Sequence, residues 1–177
     1  EGPPGKADLK NIEIKTPLAG RAQTEEKLLS IGANLKWTRK QVDTFFNAPS
    51  GWLKLREVEG RPGELISYRR SVEDSGPRES DYDILRLEDA HELKSVLEHS
   101  LGILGIVEKQ RALWLYRNTR VHLDRVKGLG DFLELETVLA GIDAREGTAE
   151  SEEVIGLLEL NKELFISVPY LELLQRQ

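Results

Sequence analysis

Cysteine and methionine are both absent from this 177-residue chain. The lack of cysteine excludes disulfide stapling, thiol catalysis and thiolate metal sites, and it fits a cytoplasmic protein. Any metal must therefore take oxygen or imidazole ligands. Aromatic residues are sparse at 6%, and Trp37, Trp52, Trp114, Phe45, Phe46 and Phe132 fall in strand patterns that suit a core better than a base-stacking platform. No stretch approaches the ~18 apolar residues of a membrane-spanning helix, the longest uncharged apolar run lying around Leu101 to Val107. Nor is there an excess of positive charge: 31 acidic against 25 basic residues give a net charge of −6. Such a field argues against nucleic-acid or anionic-membrane partners. The opening Glu1-Gly2-Pro3-Pro4-Gly5 has neither the basic start nor the apolar stretch of a signal peptide, and residues 1–8 read as a flexible lead-in to one domain spanning 1–177. Neither a P-loop nor a serine nucleophile elbow occurs. The three histidines, His91, His99 and His122, lack paired metal spacing.

What is present alternates. Strand-like runs are read at Leu9 to Ile14, Trp37 to Phe46, Trp52 to Val58, Glu64 to Arg70, Arg78 to Leu87, Ile106 to Tyr116, Thr119 to Val126 and Phe132 to Leu139. Turn residues separate them, including Asn47-Ala48-Pro49-Ser50-Gly51, a mobile Asp74-Ser75-Gly76-Pro77 and Lys127-Gly128-Leu129-Gly130-Asp131. The last lacks the third glycine and following helix of a dinucleotide loop and reads as a hairpin turn. Helices are expected from Thr24, with Gly32 at its left-handed end, from Asp89 with Glu92 three residues on, and from Thr148 to Leu160. A short helical pattern follows Pro169. The leucines of the helices read as packing against the sheet exterior or a twin subunit. About eight strands with a few helices give an α+β class dominated by an antiparallel sheet.

Charged residues share one side of several strands: Glu13 with Lys15, Lys54 with Arg56, Lys109 with Arg111, His122 with Asp124, and Glu134 with Glu136. A solvated outer face explains any one pair, because such side chains are mostly exposed. Five strands bearing them suggest instead a cavity, were the sheet to close. Arginines converging there would grip a polyphosphate bidentately. Clustered carboxylates would call for a cation such as Mg²⁺ or Mn²⁺.

The run Asn11-Ile12-Glu13-Ile14-Lys15 resembles the Glu-x-Glu-x-Lys opening of the CYTH superfamily, the triphosphate tunnel enzymes. Leu53-Lys54-Leu55-Arg56-Glu57 is similar to that family's third-strand basic motif, and Glu108-Lys109-Gln110-Arg111 to its Glu-Lys-x-Arg strand. His122-Leu123-Asp124 through Gly128-Leu129-Gly130-Asp131-Phe132-Leu133-Glu134 resembles its Asp, Gly-Leu-Gly-x-Phe and Glu elements. The likeness runs from about Leu9 to Leu174 and is strongest toward the class IV adenylyl cyclase branch.

The resemblance implies a closed antiparallel eight-stranded β-barrel, a triphosphate tunnel, with helices packed outside, Mg²⁺ or Mn²⁺ as cofactor, and a homodimer. It implies metal ligation by Glu13, Glu134 and Glu136, with Asn11 standing where the family has its first Glu. That amide removes one negative charge, so a second metal should bind weakly or arrive with the substrate. Lys15, Lys54, Arg56, Arg69, Arg78, Lys109 and Arg111 are the implied phosphate grips. Lys109, Arg111 and Asp124 are the implied catalytic groups, and Asp43 matches an acidic position that could orient an arginine. The activities implied are an adenylate cyclase acting on ATP, or a triphosphatase acting on inorganic, nucleoside or thiamine triphosphate. A non-catalytic polyphosphate or nucleotide binder is the third reading.

Overall fold

The computed structural model describes residues 9–70 and 78–177, with the backbone alone at residues 9, 70 and 78–81. The expected flexible lead-in and the turn Asp74 to Pro77 fall outside them. Strands β1 (Leu9–Pro17), β2 (Asn34–Phe46), β3 (Trp52–Val58), β4 (Gly63–Arg70), β5 (Arg78–Leu87), β6 (Ile103–Tyr116), β7 (Thr119–Val126) and β8 (Gly130–Val138) make one sheet. Helices α1 (Arg21–Ser30), α2 (Ala90–Leu101), α3 (Ala144–Leu157) and α4 (Tyr170–Gln175) join a 3-10 turn at Lys162–Leu164. Every strand pairing is antiparallel. The ladder order is β1-β5-β4-β3-β2-β6-β7-β8, and β8 pairs again with β1. β1 joins β5 through five residue pairs, from Leu9↔Tyr82 to Glu13↔Arg78. The expected α+β fold, eight antiparallel strands curled around an interior with helices outside, is therefore what the chain adopts.

Period-two alternation sorts the two faces. On β8, Glu134 and Glu136 face the interior cavity, while Leu133 and Leu135 join a fully buried cluster with Leu28 of α1 and Val154 and Ile155 of α3. Each such side chain contributes about 1.5–3 kcal/mol by leaving water. A second cluster, with Phe45, Ile66, Tyr68, Val107, Phe132, Tyr170 and Leu171, fills the interior beneath α4. Trp114 is core and Trp52 packs against this second cluster, whereas Trp37 lines the cavity.

Two helix expectations change. α3 begins four residues early because Asp143 and Glu146 form a reciprocal capping box, at 2.8 and 2.9 Å. α2 buries no residue, and Val96 on its apolar stripe is 60% exposed. Its leucines therefore do not form part of the core. The Lys127 to Gly130 turn has Gly128 and Gly130 at φ 85° and 98°, the left-handed region where glycine carries no steric penalty. No helix among the described residues is long and apolar enough to cross a membrane.

Candidate functional site

A cavity of about 940 Å³ occupies the interior of the curled sheet. Charged residues from all eight strands line it, among them Glu13 and Lys15 from β1, Asp43 from β2, Lys54 and Arg56 from β3, Lys109 and Arg111 from β6, and Glu134 and Glu136 from β8. Seven of these nine residues, with Asp124, form two groups of contacts.

In the first group, Asp43 is 2% exposed and accepts two hydrogen bonds from Arg56, Nε to Oδ1 at 2.8 Å and Nη2 to Oδ2 at 2.9 Å. Lys109 Nζ and Lys54 Nζ lie 3.6 and 3.8 Å from the same carboxylate. Burial alone would raise the Asp43 pKa, but Arg56, Lys54 and Lys109 hold it well below the carboxylate range. One anion cannot balance three cations, and the lysines show the strain. Lys109 is lowered by burial and by Arg111. Lys54 is lowered from 10.5 to about 7, first by burial and then by Arg56.

In the second group, Asp124 accepts from Arg111 Nε at 2.7 Å and Nη2 at 2.6 Å, and the same Nη2 donates to Glu134 at 2.8 Å. Lys15 Nζ is 3.4 Å from Glu134. Burial would raise the Glu134 carboxyl, but Lys15 and Arg111 keep it well below its ordinary value. The expectation that the inner carboxylates need a metal to stay ionised is thus corrected for Glu134, whose counter-ions come from the protein.

Three sequence expectations shift, and a fourth falls on a side chain that is not described. Asp124, expected among the catalytic groups, has no exposure and does not line the cavity; it lies behind Arg111 and fixes that guanidinium. Arg69 is exposed and reaches Ser50 Oγ at 3.4 Å, because β4 turns Ile66 and Tyr68 inward and period two sends residue 69 out. Arg78 is described by its backbone alone, opposite Glu13; its side chain lies outside the described residues. His122, expected beside the site, is 7% exposed inside it, with Nδ1 3.8 Å from Glu134 and Nε2 3.7 Å from Glu136. Burial, then Arg111, lowers its pKa, so the ring is neutral at neutral pH.

Two cavity residues were not legible as such. Gln41, 2% exposed, sits in register with Lys109. Tyr170, read in the sequence as part of an apolar helical pattern, lines the cavity and donates to Asp124 at 2.8 Å. Nothing local marks it, since the contact spans 46 residues.

The oxygen donors fit a divalent cation that takes part of its shell from elsewhere. Asn11 donates through Nδ2 to Glu136, while its Oδ1 is buried without a hydrogen-bond partner. That oxygen joins the carboxylates of Glu13, Glu134 and Glu136 on one cavity wall. Among the described residues, no three His, Asp or Glu side chains form a cage able to hold an ion unaided. Mg²⁺-type ions commonly take one or two carboxylates and complete their shell with water and substrate phosphate.

The model of the family described as the CYTH domain matches residues 9–170. A Methanocaldococcus jannaschii protein named "Putative adenylate cyclase" is 24% identical over 172 residues, covering 92% of this chain and 97% of that one. Among solved structures, the PH1012 protein of Pyrococcus horikoshii superposes with a TM-score of 0.81 at 23% identity, over 92% of this chain and 98% of its own. A Vibrio parahaemolyticus structure, likewise described as a putative adenylate cyclase, gives 0.74 at 17% identity, over 93% and 97%.

Proposed function

The chain belongs to the CYTH domain family, and from that premise we propose that it is a divalent-metal-dependent enzyme converting ATP to cyclic AMP and pyrophosphate inside its curled sheet. Enzymes of this family act on triphosphates and use divalent metals. The observation that carries the proposal is the local surplus of buried cations around Asp43. Lys15, Lys54, Arg56, Lys109 and Arg111 all line one cavity, and Asp43 leaves its three partners with net positive charge. A buried excess of this kind is costly alone and is relieved by a polyanion.

Each arginine is held in advance. Asp43 takes two N–H groups of Arg56 and Asp124 two of Arg111, leaving other donors of each planar fork for phosphate oxygens. Groups fixed before substrate enters need no reorganisation when charge develops at phosphorus. We assign Lys54, Arg56, Lys109, Arg111 and Lys15 to the triphosphate, and Glu13, Glu134, Glu136 and Asn11 to the metal. When bound, the metal would supply Lewis-acid stabilisation of the phosphoryl oxygens. The ribose 3′-oxygen forms its bond to the α-phosphorus as the bond from that phosphorus to the α–β bridge oxygen breaks; its proton passes to solvent, and pyrophosphate departs with the bridge oxygen. Catalysis by these residues is chiefly positioning and charge stabilisation. We read the β1–β5 seam as closing the sheet into a tunnel.

The wall beyond the cations favours an organic triphosphate over an inorganic one. Trp37, four residues before Gln41 on β2, Val58, opposite Gln41 on β3, and Leu113 and Leu115, two and four residues beyond Arg111 on β6, all line the cavity, an apolar surface that bare tripolyphosphate would not use. The test is product analysis with Mg²⁺ or Mn²⁺ over ATP, thiamine triphosphate and tripolyphosphate. Cyclic AMP and pyrophosphate in equal amounts from ATP are expected. Release of inorganic phosphate from any of the three without cyclic AMP would make the protein a triphosphatase, and tight binding without turnover would make it a binder.

A further inference from the structure

We infer that Tyr170 and the segment leading into it are working parts of the triphosphate grip, positioning Arg111 and Lys15 from outside the sheet; the inference rests on the phosphate-binding reading above. Three contacts carry it. The Tyr170 hydroxyl, on a residue 4% exposed, donates to Asp124 Oδ2 at 2.8 Å, the oxygen that also accepts from Arg111 Nη2 at 2.6 Å. Two residues earlier, the Val168 carbonyl accepts from Lys15 Nζ at 3.1 Å. Past the last β1–β5 pair, Ile166 N–H donates to the Lys15 carbonyl at 2.8 Å. The Tyr170 ring adds to this, lying 4.1 Å from Lys15 Nζ and 5.1 Å from Lys109 Nζ, within cation–π range.

Packing does not account for the hydroxyl. The ring meets Phe132 edge to face at 5.1 Å, and Leu171 presses against Gly105, where an added Cβ would come within 2.3 Å of Leu171 Cδ1. Phenylalanine would pack equally well against Phe132 and leave the Leu171 contact as it is. The oxygen is instead aimed at a carboxylate with no exposure, whose other two bonds both go to Arg111. Burial and Asp124 raise the phenol pKa well above its usual value, so it remains a donor through the neutral range. With Tyr170 present, Asp124 is fixed from two sides and Arg111 keeps one orientation. Without the hydroxyl, Asp124 loses one of its three donors, and Arg111 is free to follow Glu134, its other partner.

The test is calorimetric titration of the purified protein with tripolyphosphate, without added metal, beside a thermal melt. Tyr170→Phe should bind about tenfold more weakly than wild type, as for loss of one hydrogen bond to a charged group, and should also melt somewhat earlier because that bond is buried. Leu174→Ala, which loosens α4 at Gly128 without touching the relay, should melt earlier yet bind within twofold of wild type. Asp124→Asn combined with Tyr170→Phe should lose less than the sum of the single losses, because both act on one guanidinium. Unchanged affinity in Tyr170→Phe, or fully additive losses in the pair, would overturn the inference. If wild type itself fails to bind, the phosphate-binding reading falls with it; if wild type binds and Arg56→Ala does not while Tyr170→Phe matches wild type, only the positioning role is lost.

Discussion

Asp43 and Asp124 sit almost wholly out of water, at 2% and 0% exposure, and each engages an arginine through both oxygens. Their consequence is felt at Lys54, which shares Asp43 with Arg56 and Lys109 and is left with a pKa of about 7. Between about 7 and its ordinary 10.5, the unfolded chain holds a proton on Lys54 that the folded chain lacks, so this residue's contribution makes stability rise with pH across that window. Binding runs the other way. A polyanion favours charged Lys54, so tripolyphosphate affinity should fall above pH 7 by up to about tenfold per unit, with proton uptake on binding. Lys54→Arg, charged throughout, should flatten the profile measured by titration at pH 6.5 to 9. The residual slope would report Lys109, whose amine is also lowered. An equal slope in both proteins would show that Lys54 does not titrate at the site. Sequence placed Lys54, Arg56, Lys109 and Arg111 on inward faces because period two fixes sides within a strand. It could not assign Asp124, since an aspartate on the strand beside a glutamate's can serve a metal or an arginine, and only the 2.6 Å contact distinguishes them.

At the scale of elements, strand edges were legible where turn residues mark them. β3, β5 and β7 begin and end as the turn chemistry around them predicts. α1 starts earlier than its apolar stripe suggests, and its Gly20 N-cap offers no side-chain hydrogen bond that the sequence could reveal. α3 differs: Asp143 and Glu146 carry a capping-box spacing that a search for apolar periodicity passes over. Asp143→Ala should therefore destabilise the protein by about 1 kcal/mol, lowering the melting temperature by roughly 2–4 °C. Tripolyphosphate affinity should not change, because α3 packs on the outer cluster and not on the cavity. A drop in affinity would mean that α3 supports the site through β8. Arg69 and Tyr170 mark the opposite limit. The first depends on β4 register and the second on a contact between distant segments, and neither leaves a local signature in the chain.

For the whole molecule, net charge and site charge have opposite signs. The chain carries −6 overall, yet nine Lys and Arg residues against six Asp and Glu line its cavity, which composition alone would never suggest. The curl of the sheet performs this sorting, carrying Arg56 inward and leaving Arg69 on β4 exposed. That contrast permits the most direct measurement: calorimetric titration of tripolyphosphate into wild type, Arg56→Ala and Arg69→Ala under identical buffer and salt. Weakening of at least about tenfold for Arg56→Ala, with Arg69→Ala unchanged from wild type, is the expected result. Equal affinities for all three proteins, or a larger loss from Arg69→Ala, would contradict triphosphate binding inside the sheet.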